Sequence, residues 1–261
     1  MSINILSANP LVVIIDEKEA GRLETIDAGA AYTEHLHKQI GNFSEHPLGN
    51  YMEIASAGVN PRSTRYSDQL FEYVDLREVD DIYGHIIKFR ILKGVVIGSN
   101  KHRFRKWDIL FAKIMPSLAN KKIALVTQDV NNAIASTEFI VLRLKKDCEI
   151  NLFYLFRALR SDHFTRQAVV NVTGATGRQR INPTRLLELR IIVPPPELQE
   201  NIGSAVEQEF ALRTLSVEQA KRADDEAELI LGPTTLRISR PSSRASARFN
   251  RPINRRSGKM I

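Results

Sequence analysis

A helical pattern of unusual length occupies residues 197–231, directly after the three prolines that end at Pro196. Apolar residues recur along it at helical spacing, first at Leu198, Ile202, Val206 and Phe210 and then at Val217, Ala220, Ala227 and Ile230. A helix of about 35 residues extends about 50 Å at about 1.5 Å per residue, which is more than the core of one domain needs. The stripe therefore predicts that part of this helix packs on another helix, from a copy of the chain or from a partner. The candidate contacts are Leu198, Ile202, Val206 and Phe210.

Before residue 150 the pattern changes to short strands. Runs rich in β-branched or aromatic residues, separated by Gly, Asn, Pro or Asp, occupy residues 71–76, 85–92, 94–98, 108–114, 122–127 and 138–144. Residues 151–170 have apolar positions at helical spacing, which predicts one amphipathic helix with its apolar side toward the sheet, and residues 189–196 read as a further strand. The predicted fold class is α+β: a mixed, mostly antiparallel sheet domain with packed helices, followed by one long C-terminal helix of the coiled-coil type.

These patterns divide the chain into four parts. Residues 1–45 are predicted to be a helical segment leading into the domain, with the helix itself at 17–40, and residues 46–196 form the sheet domain. Residues 197–231 form the long helix, and residues 232–261 form a basic tail. Because the tail is rich in Ser, Arg and Pro and poor in large apolar residues, it is predicted to be disordered.

The formal net charge of +7 is unevenly placed. Residues 233–261 carry eight basic groups and no acid, so the other 232 residues sum to −1. Within the body, residues 85–122 hold ten Lys or Arg against one acid, and residues 154–190 hold seven Arg against two acids. These two stretches either outline a positive face of the kind that follows a DNA backbone, or are charge scattered over a solvated surface.

A glycine-containing polar loop follows the helical pattern of residues 151–170. In residues 172–183, glycines would let backbone amides approach a phosphate, and Arg178 and Arg180 would add positive charge. The same residues also fit a plain turn that joins a helix to a strand.

Catalytic signatures are mostly absent from the sequence. It has no GxxxxGK, GxGxxG or GxSxG motif, and its six histidines make no recognisable set of metal ligands. Neighbouring acids disfavour a thiolate at Cys148, which as the single cysteine also excludes an internal disulfide. We therefore expect no catalytic residue, no metal site and no cofactor on this chain. No apolar run approaches the roughly 18 residues of a membrane span, so we expect a cytoplasmic protein with no membrane partner.

Seven short motifs follow one another along the body. They are PLGNYMEIASAGVNP at 47–61, FEYVDLREV at 71–79, KWDILFAKIMPS at 106–117, STEFIVLR at 136–143, YLFRALRSDHF at 154–164, TGATGRQRI at 173–181 and IIVPPPELQENI at 191–202. Their order and spacing resemble the target-recognition domain of type I restriction-modification DNA specificity (S) subunits. The segment at 21–36 is similar to a helix that precedes some of these domains. Trp107 stands where the family usually has glycine, a departure that bears on the shape of the turn before Asp108.

The resemblance implies a noncatalytic reader of double-stranded DNA. A partner methyltransferase (M) subunit would bind S-adenosylmethionine and methylate adenine N6, and restriction (R) subunits would supply translocation and cleavage. A full S subunit has two recognition domains and two long helices, whereas this sequence shows one of each. The chain thus resembles a half subunit that pairs through residues 197–231 with itself or with another half. Two-fold pairing would give a bipartite target of two inverted half-sites.

In such a reader, Lys and Arg bind phosphates while base edges are read in the major groove. The expected DNA contacts are Lys101, Arg103, Arg105, Lys106 and Lys113 in the basic stretch, with Arg178 and Arg180 in the glycine loop. Two other functions remain open at this point. One is the recognition half of a split or truncated methyltransferase or nuclease, and the other is a degenerate S subunit that regulates assembly.

Overall fold

The computed structural model describes residues 4–8, 11–14, 43–55, 57–98, 100–175 and 177–231, the first two ranges by secondary structure alone. The helix predicted at 17–40 and the tail predicted at 232–261 lie outside the described residues.

The strands are short and most of them precede the helices. Their bounds are β1 Asn4–Ala8, β2 Leu11–Ile14, β3 Ser44–Pro47, β4 Met52–Ile54, β5 Gly58–Val59, β6 Leu70–Val74, β7 Arg90–Lys93, β8 Lys101–Arg103, β9 Ile109–Ala112, β10 Ile123–Leu125, β11 Ala133–Ala135, β12 Phe139–Leu144, β13 Val172–Thr173, β14 Arg180–Ile181 and β15 Arg190–Val193. The helices are α1 Leu152–Leu159, α2 Asp162–Val170, α3 Pro183–Glu188 and α4 Pro196–Leu231.

Two sheets form the centre of the body. Strands β10, β9, β12 and β4 form an antiparallel four-stranded sheet in that order. Strands β5, β8, β11, β6 and β7 form a five-stranded sheet, in which β11 and β6 are parallel and the other pairs antiparallel. Strands β1 with β2, β3 with β15, and β13 with β14 pair as antiparallel ribbons. The predicted α+β class with a mostly antiparallel sheet is confirmed.

Both faces of the four-stranded sheet are buried. Along β9, Ile109 and Phe111 face a core shared with the helices, whereas Leu110 and Ala112 face a second core shared with the five-stranded sheet. Because successive side chains of a strand point to opposite faces, covering both faces requires apolar residues at consecutive positions. The body is therefore layered as helices, four-stranded sheet and five-stranded sheet.

A third apolar cluster lies on the far face of the five-stranded sheet. Phe71, Tyr73 and Ile134 are buried there, and Tyr66 packs against them from a loop between β5 and β6. This far face is the side of the five-stranded sheet that points away from the helix layer.

The prediction of a single helix at 151–170 is wrong, because the structure has two helices there. α1 ends before Arg160, and the side chain of Ser161 accepts a hydrogen bond from the backbone N–H of Phe164 to begin α2. A serine in this position caps a new helix start, because its side chain satisfies an N–H that has no partner within the helix. The buried guanidinium of Arg160 donates to backbone carbonyls, including those of Ile123 and Ile82.

The prediction of a strand at 94–98 is also wrong. Gly94–Val96 form a 3-10 turn, in which the N–H of Gly94 donates to the carbonyl of Gln69 and that of Val95 to Ser67. Within the predicted run at 85–92, only β7 forms a strand.

The predicted long helix is present as α4. The body extends through Arg213, and Thr214 begins a second unit whose described part is the remainder of α4. Among the described residues, no helix is long and apolar enough to cross a membrane.

Candidate nucleic-acid interface

Basic and aromatic side chains meet on the far face of the five-stranded sheet. Residues opposite each other in register share a face, so the pairing of Tyr73 with Arg90 and of Ile134 with Arg103 places both arginines on the side of the third cluster. We call this surface the outer basic face, formed by Arg65, Tyr66, Tyr73, Arg90, Lys101 and Arg103.

Two tyrosine rings hold the cations of the outer basic face. The guanidinium carbons of Arg65 and Arg103 lie 5.2 Å and 5.5 Å from the centre of the Tyr66 ring. Arg90 and Lys101 lie 5.7 Å and 6.0 Å from the ring of Tyr73. Separations of up to about 6 Å allow attraction between a cation and the electron-rich ring face. The rings thus bring four positive charges to one surface without neutralising them.

The loop that carries Arg65 and Tyr66 is fixed by backbone hydrogen bonds. The N–H of Tyr66 donates to the carbonyl of Ser63 at 2.8 Å, and the turn Gly94–Val96 donates two further bonds to this loop. Gly94 must be glycine here, because an added Cβ would overlap the carbonyl oxygens of Pro61 and Tyr66. The loop is therefore held against the sheet by contacts that do not involve its charged side chains.

Lys101 and Arg103 are the predicted DNA contacts that lie on the outer basic face. Arg103 is partly exposed, whereas Lys101 is only 8% exposed and burial lowers the pKa of its ammonium group. Asp75 partly offsets that effect, and its carboxylate also accepts a hydrogen bond from the Tyr73 hydroxyl at 3.2 Å. Arg103 is thus the better placed of the two to reach a ligand in solvent.

Lys113, Arg178 and Arg180 form a second basic group after the end of β9. The carbonyl of Lys113 accepts from the N–H of Ile181, and the residue after Lys113 bridges to Arg180. The guanidinium of Arg180 makes a two-point ion pair with Glu138, at 3.0 and 2.9 Å, whereas Arg178 is exposed. The structure brings these three predicted residues together, with the charge of one of them compensated.

The side chain of His102 lies on the opposite face of β8 from Lys101 and Arg103, because His102 pairs with Ala135 of the second core. Burial, followed by the charges of Lys113 and Lys101, lowers the pKa of its imidazole. The lowered pKa favours the neutral ring, which presents one donor and one acceptor.

Arg105 and Lys106 lie at the other end of β9. Arg105 is exposed, and Lys106 makes an ion pair with Asp129 at 3.0 Å. The turn also contains Trp107, whose φ of 71° is a left-handed conformation that favours glycine. Trp107 thus adopts a backbone conformation suited to the glycine that usually stands there in the resembled family. Asp108, 1% exposed, anchors the turn by accepting from the Arg105 N–H and from the Arg143 guanidinium.

Sequence reasoning missed Arg65, Tyr66 and Arg90 as functional candidates. Residues 1–84 are acidic on average, which hides Arg65, and Arg90 was one of ten bases in its stretch. No local signal marks them, because the register that brings Arg65, Tyr66 and Arg90 to one face is set by strand pairing.

The predicted partner face of the long helix is divided by the structure. Val206 and Phe210 are 7% and 4% exposed and belong to the core shared with α1, so the prediction that they contact another chain is wrong. Phe210 packs on Phe156, with ring centres 5.6 Å apart. Ile202 packs partly against the same core, and Leu198 remains 38% exposed. A stripe of apolar residues cannot reveal by itself which segment covers it.

A cavity of about 670 Å³ lies in the helix layer, on the opposite side of the four-stranded sheet from the outer basic face. Its lining includes Tyr154, His163 and Leu198. His163 is bound to Glu45 and Gln167 at 3.1 and 3.0 Å. Among the described residues, no group of three or more His, Cys, Asp or Glu is arranged to hold a metal ion.

Comparison with known proteins identifies similar chains. The family profile described as the type I restriction modification DNA specificity domain matches residues 65–223. Among solved structures, the HsdS subunit from Thermoanaerobacter tengcongensis is 25% identical with a TM-score of 0.52, over 72% of this chain and 47% of that chain. A chain from a structure of type I R-M system complex assembly and conformational transition is 24% identical with a TM-score of 0.53, over 76% of this chain and 52% of that chain. No curated protein sequence matches significantly. The chain spans about half the length of the solved proteins that it matches.

Proposed function

The chain belongs to the type I restriction-modification DNA specificity family, and on that premise we propose that it is the DNA-reading subunit of a type I restriction-modification system. It binds a half-site in double-stranded DNA and carries no catalytic group of its own. The observation that carries the proposal is the outer basic face, where two tyrosines hold four cationic side chains on one surface of a sheet.

Phosphate contacts supply most of the affinity in this proposal. Arg178 is exposed and Lys113 is partly exposed, and both are suited to phosphates. Each phosphate neutralised by a lysine or arginine lowers the slope of log K against log salt by about 0.9. Binding is therefore expected to weaken steeply with salt.

The chemistry belongs to partner subunits. A methyltransferase (M) subunit with bound S-adenosylmethionine methylates adenine N6 at the site that this chain selects, and restriction (R) subunits translocate and cleave DNA. Membership in a DNA specificity family supports this division of roles.

Pairing uses the part of α4 that follows Arg213. The large apolar side chains there are more than half exposed, which is expensive in water unless another surface covers them: Leu215, Val217, Leu229, Ile230 and Leu231. We infer that a second long helix, from a copy of this chain or from another specificity chain, packs on them. Two reading domains joined in this way select a bipartite target, with two half-sites around a spacer of any sequence.

Long-read mapping of N6-methyladenine in the host genome tests the function. The methylation map is compared among three hosts: one with the gene intact, one with the gene deleted, and one with the gene deleted and the wild-type copy restored. Loss and return of one bipartite motif is the expected result, and a symmetric motif would indicate self-pairing. An unchanged map contradicts the proposal. Metal-dependent cleavage by the purified chain alone would favour a nuclease fragment instead, and complex formation without sequence preference would favour an assembly regulator.

Light scattering on the purified chain tests the pairing. Val217→Asp is expected to lower the mass to that of one chain, because a buried charge without a partner opposes helix pairing. Ser216→Asp introduces the same charge at the adjacent exposed position and is the matched control. Equal masses for both variants and the wild type would contradict pairing of this chain with itself through this face.

A further inference from the structure

Arg65 and Arg103 are held together on one aromatic ring, whereas Arg90 lies over Tyr73 together with Lys101. The guanidinium groups of Arg65 and Arg103 lie against the ring of Tyr66. Within the described residues, neither forms an ion pair with a carboxylate. By contrast, Arg180 is occupied by Glu138. The pair therefore keeps its full positive charge and its side-chain donors.

Tyr66 is a rigid support for this pair. Its ring meets Phe71 edge-on, with ring centres 6.3 Å apart, and it packs against the third apolar cluster. Its backbone is fixed by the loop hydrogen bonds, and β8 is held by two neighbouring strands. Arg65 and Arg103 thus project from two supports that are each fixed, so little conformational entropy remains to be lost on binding.

An arginine that rests on an aromatic ring remains able to read a base. The ring attracts the planar cation, while the N–H donors lie in the plane of the guanidinium and point away from its edges. Two of these donors match the O6 and N7 acceptors of guanine in the major groove, which is the commonest specific contact between a side chain and a base. A lysine has the same charge but lacks this planar fork.

We propose that Arg65 and Arg103, supported by Tyr66, are the specificity-determining residues of this domain and read guanine in the major groove. This inference rests on the proposed function as a DNA reader. Arg178 and Lys113 contact phosphates.

The test maps N6-methyladenine in the host with the gene carrying Arg65→Lys or Arg103→Lys. Each change retains the charge and removes the fork, so a guanine in the motif is expected to become degenerate, with discrimination reduced about tenfold or more. Arg185→Lys is the matched control, because that guanidinium is exposed and already bound by Glu188 and Asn171. An unchanged motif in both variants, with or without weaker methylation at all sites, overturns the guanine assignment.

Tyr66 supplies a second readout. Tyr66→Phe keeps the aromatic ring and is expected to preserve the motif. Tyr66→Leu removes the ring and is expected to make the same guanine position of the motif degenerate. Retention of the guanine in Tyr66→Leu would contradict the role of the ring.

Modified DNA makes the test independent of variant folding. With the wild-type chain in complex with its methyltransferase, 7-deazaguanine at the assigned position removes the N7 acceptor and is expected to weaken binding about tenfold. Equal affinity for both DNAs overturns the inference, even if an arginine variant abolishes methylation. If the intact gene produces no motif in the genome, the proposed function itself fails, and that outcome differs from an unchanged motif in the variants.

Discussion

Phe210→Ala tests whether the first half of α4 belongs to the body of this chain. The Phe210 side chain is 4% exposed, and its ring centre lies 6.3 Å from that of Phe153, 5.6 Å from Phe156 and 4.0 Å from His85. Replacing a buried phenylalanine with alanine costs about 3–5 kcal/mol, because apolar burial is lost and a cavity remains. For a body of this size, that loss corresponds to a fall in Tm of about 6–20 °C.

Leu212→Ala is the matched control in the same helix. Leu212 is 67% exposed, so truncating it removes little buried area, and alanine is a good helix former. Its free energy of unfolding is expected to change by no more than about 0.5 kcal/mol.

Urea unfolding followed by tryptophan fluorescence measures both variants. Trp107 is the single tryptophan, and its ring meets that of Phe153 edge-on at 5.9 Å, so it reports on the region that Phe210 covers. A loss of less than about 1 kcal/mol for Phe210→Ala, equal to that of Leu212→Ala, would refute the assignment of Phe210 to the core. Repeating the measurement at several protein concentrations separates this loss from any effect on pairing, since only pairing depends on concentration.

Four further changes have expected outcomes. Burial, followed by nearby positive charge, lowers the pKa of His85 from 6.5 to about 4. As the pH falls, the imidazole of His85 is therefore protonated in the unfolded chain before it is protonated in the folded chain. The free energy of unfolding should therefore fall between pH 6.5 and 4 by about 1–2 kcal/mol after allowance for solvent screening, and His85→Gln should flatten that dependence in urea titrations. Asp108→Asn removes the charge of a buried carboxylate that pairs at two points with the partly exposed Arg143, and should cost about 1.5–3 kcal/mol, seen as a lower urea midpoint; an unchanged midpoint would contradict it. Gly84→Ala places a Cβ against a backbone carbonyl at φ +78° and should cost at least about 2 kcal/mol, seen as a lower Tm; an unchanged Tm would contradict the local geometry. Deleting residues 233–261 removes eight basic groups and should weaken nonspecific DNA binding and its salt dependence in titrations, whereas a changed preferred sequence would count against this view of the tail.

Residue spacing was sufficient to predict the elements whose apolar pattern is local. Strands β9, β10 and β12 lie within the predicted runs, and α4 lies where the long helical pattern predicts. The resemblance to type I specificity subunits is confirmed by the family match over residues 65–223. The break at Ser161 was missed because its capping hydrogen bond competes with a helical pattern that continues on both sides.

Only the tertiary structure decided which charges are available for a ligand. In the sequence, three residues look alike, because each is a cationic side chain in a basic stretch: Arg103, Lys106 and Arg180. In the fold, Lys106 is held by Asp129, 23 residues away, and Arg180 by Glu138, 42 residues away. Arg103 instead rests on an aromatic ring from a distant loop. No local pattern contains these partners, because they meet only when the strands pair.

The long helix shows the same division. Its length follows from the sequence, since periodicity is a property of neighbouring residues along one segment. The structure alone decided that Val206 and Phe210 are buried in the body, whereas Val217 and Leu229 remain exposed. Burial depends on the segment that lies opposite a side chain, and that segment is fixed by the packing of the layers rather than by the stripe itself.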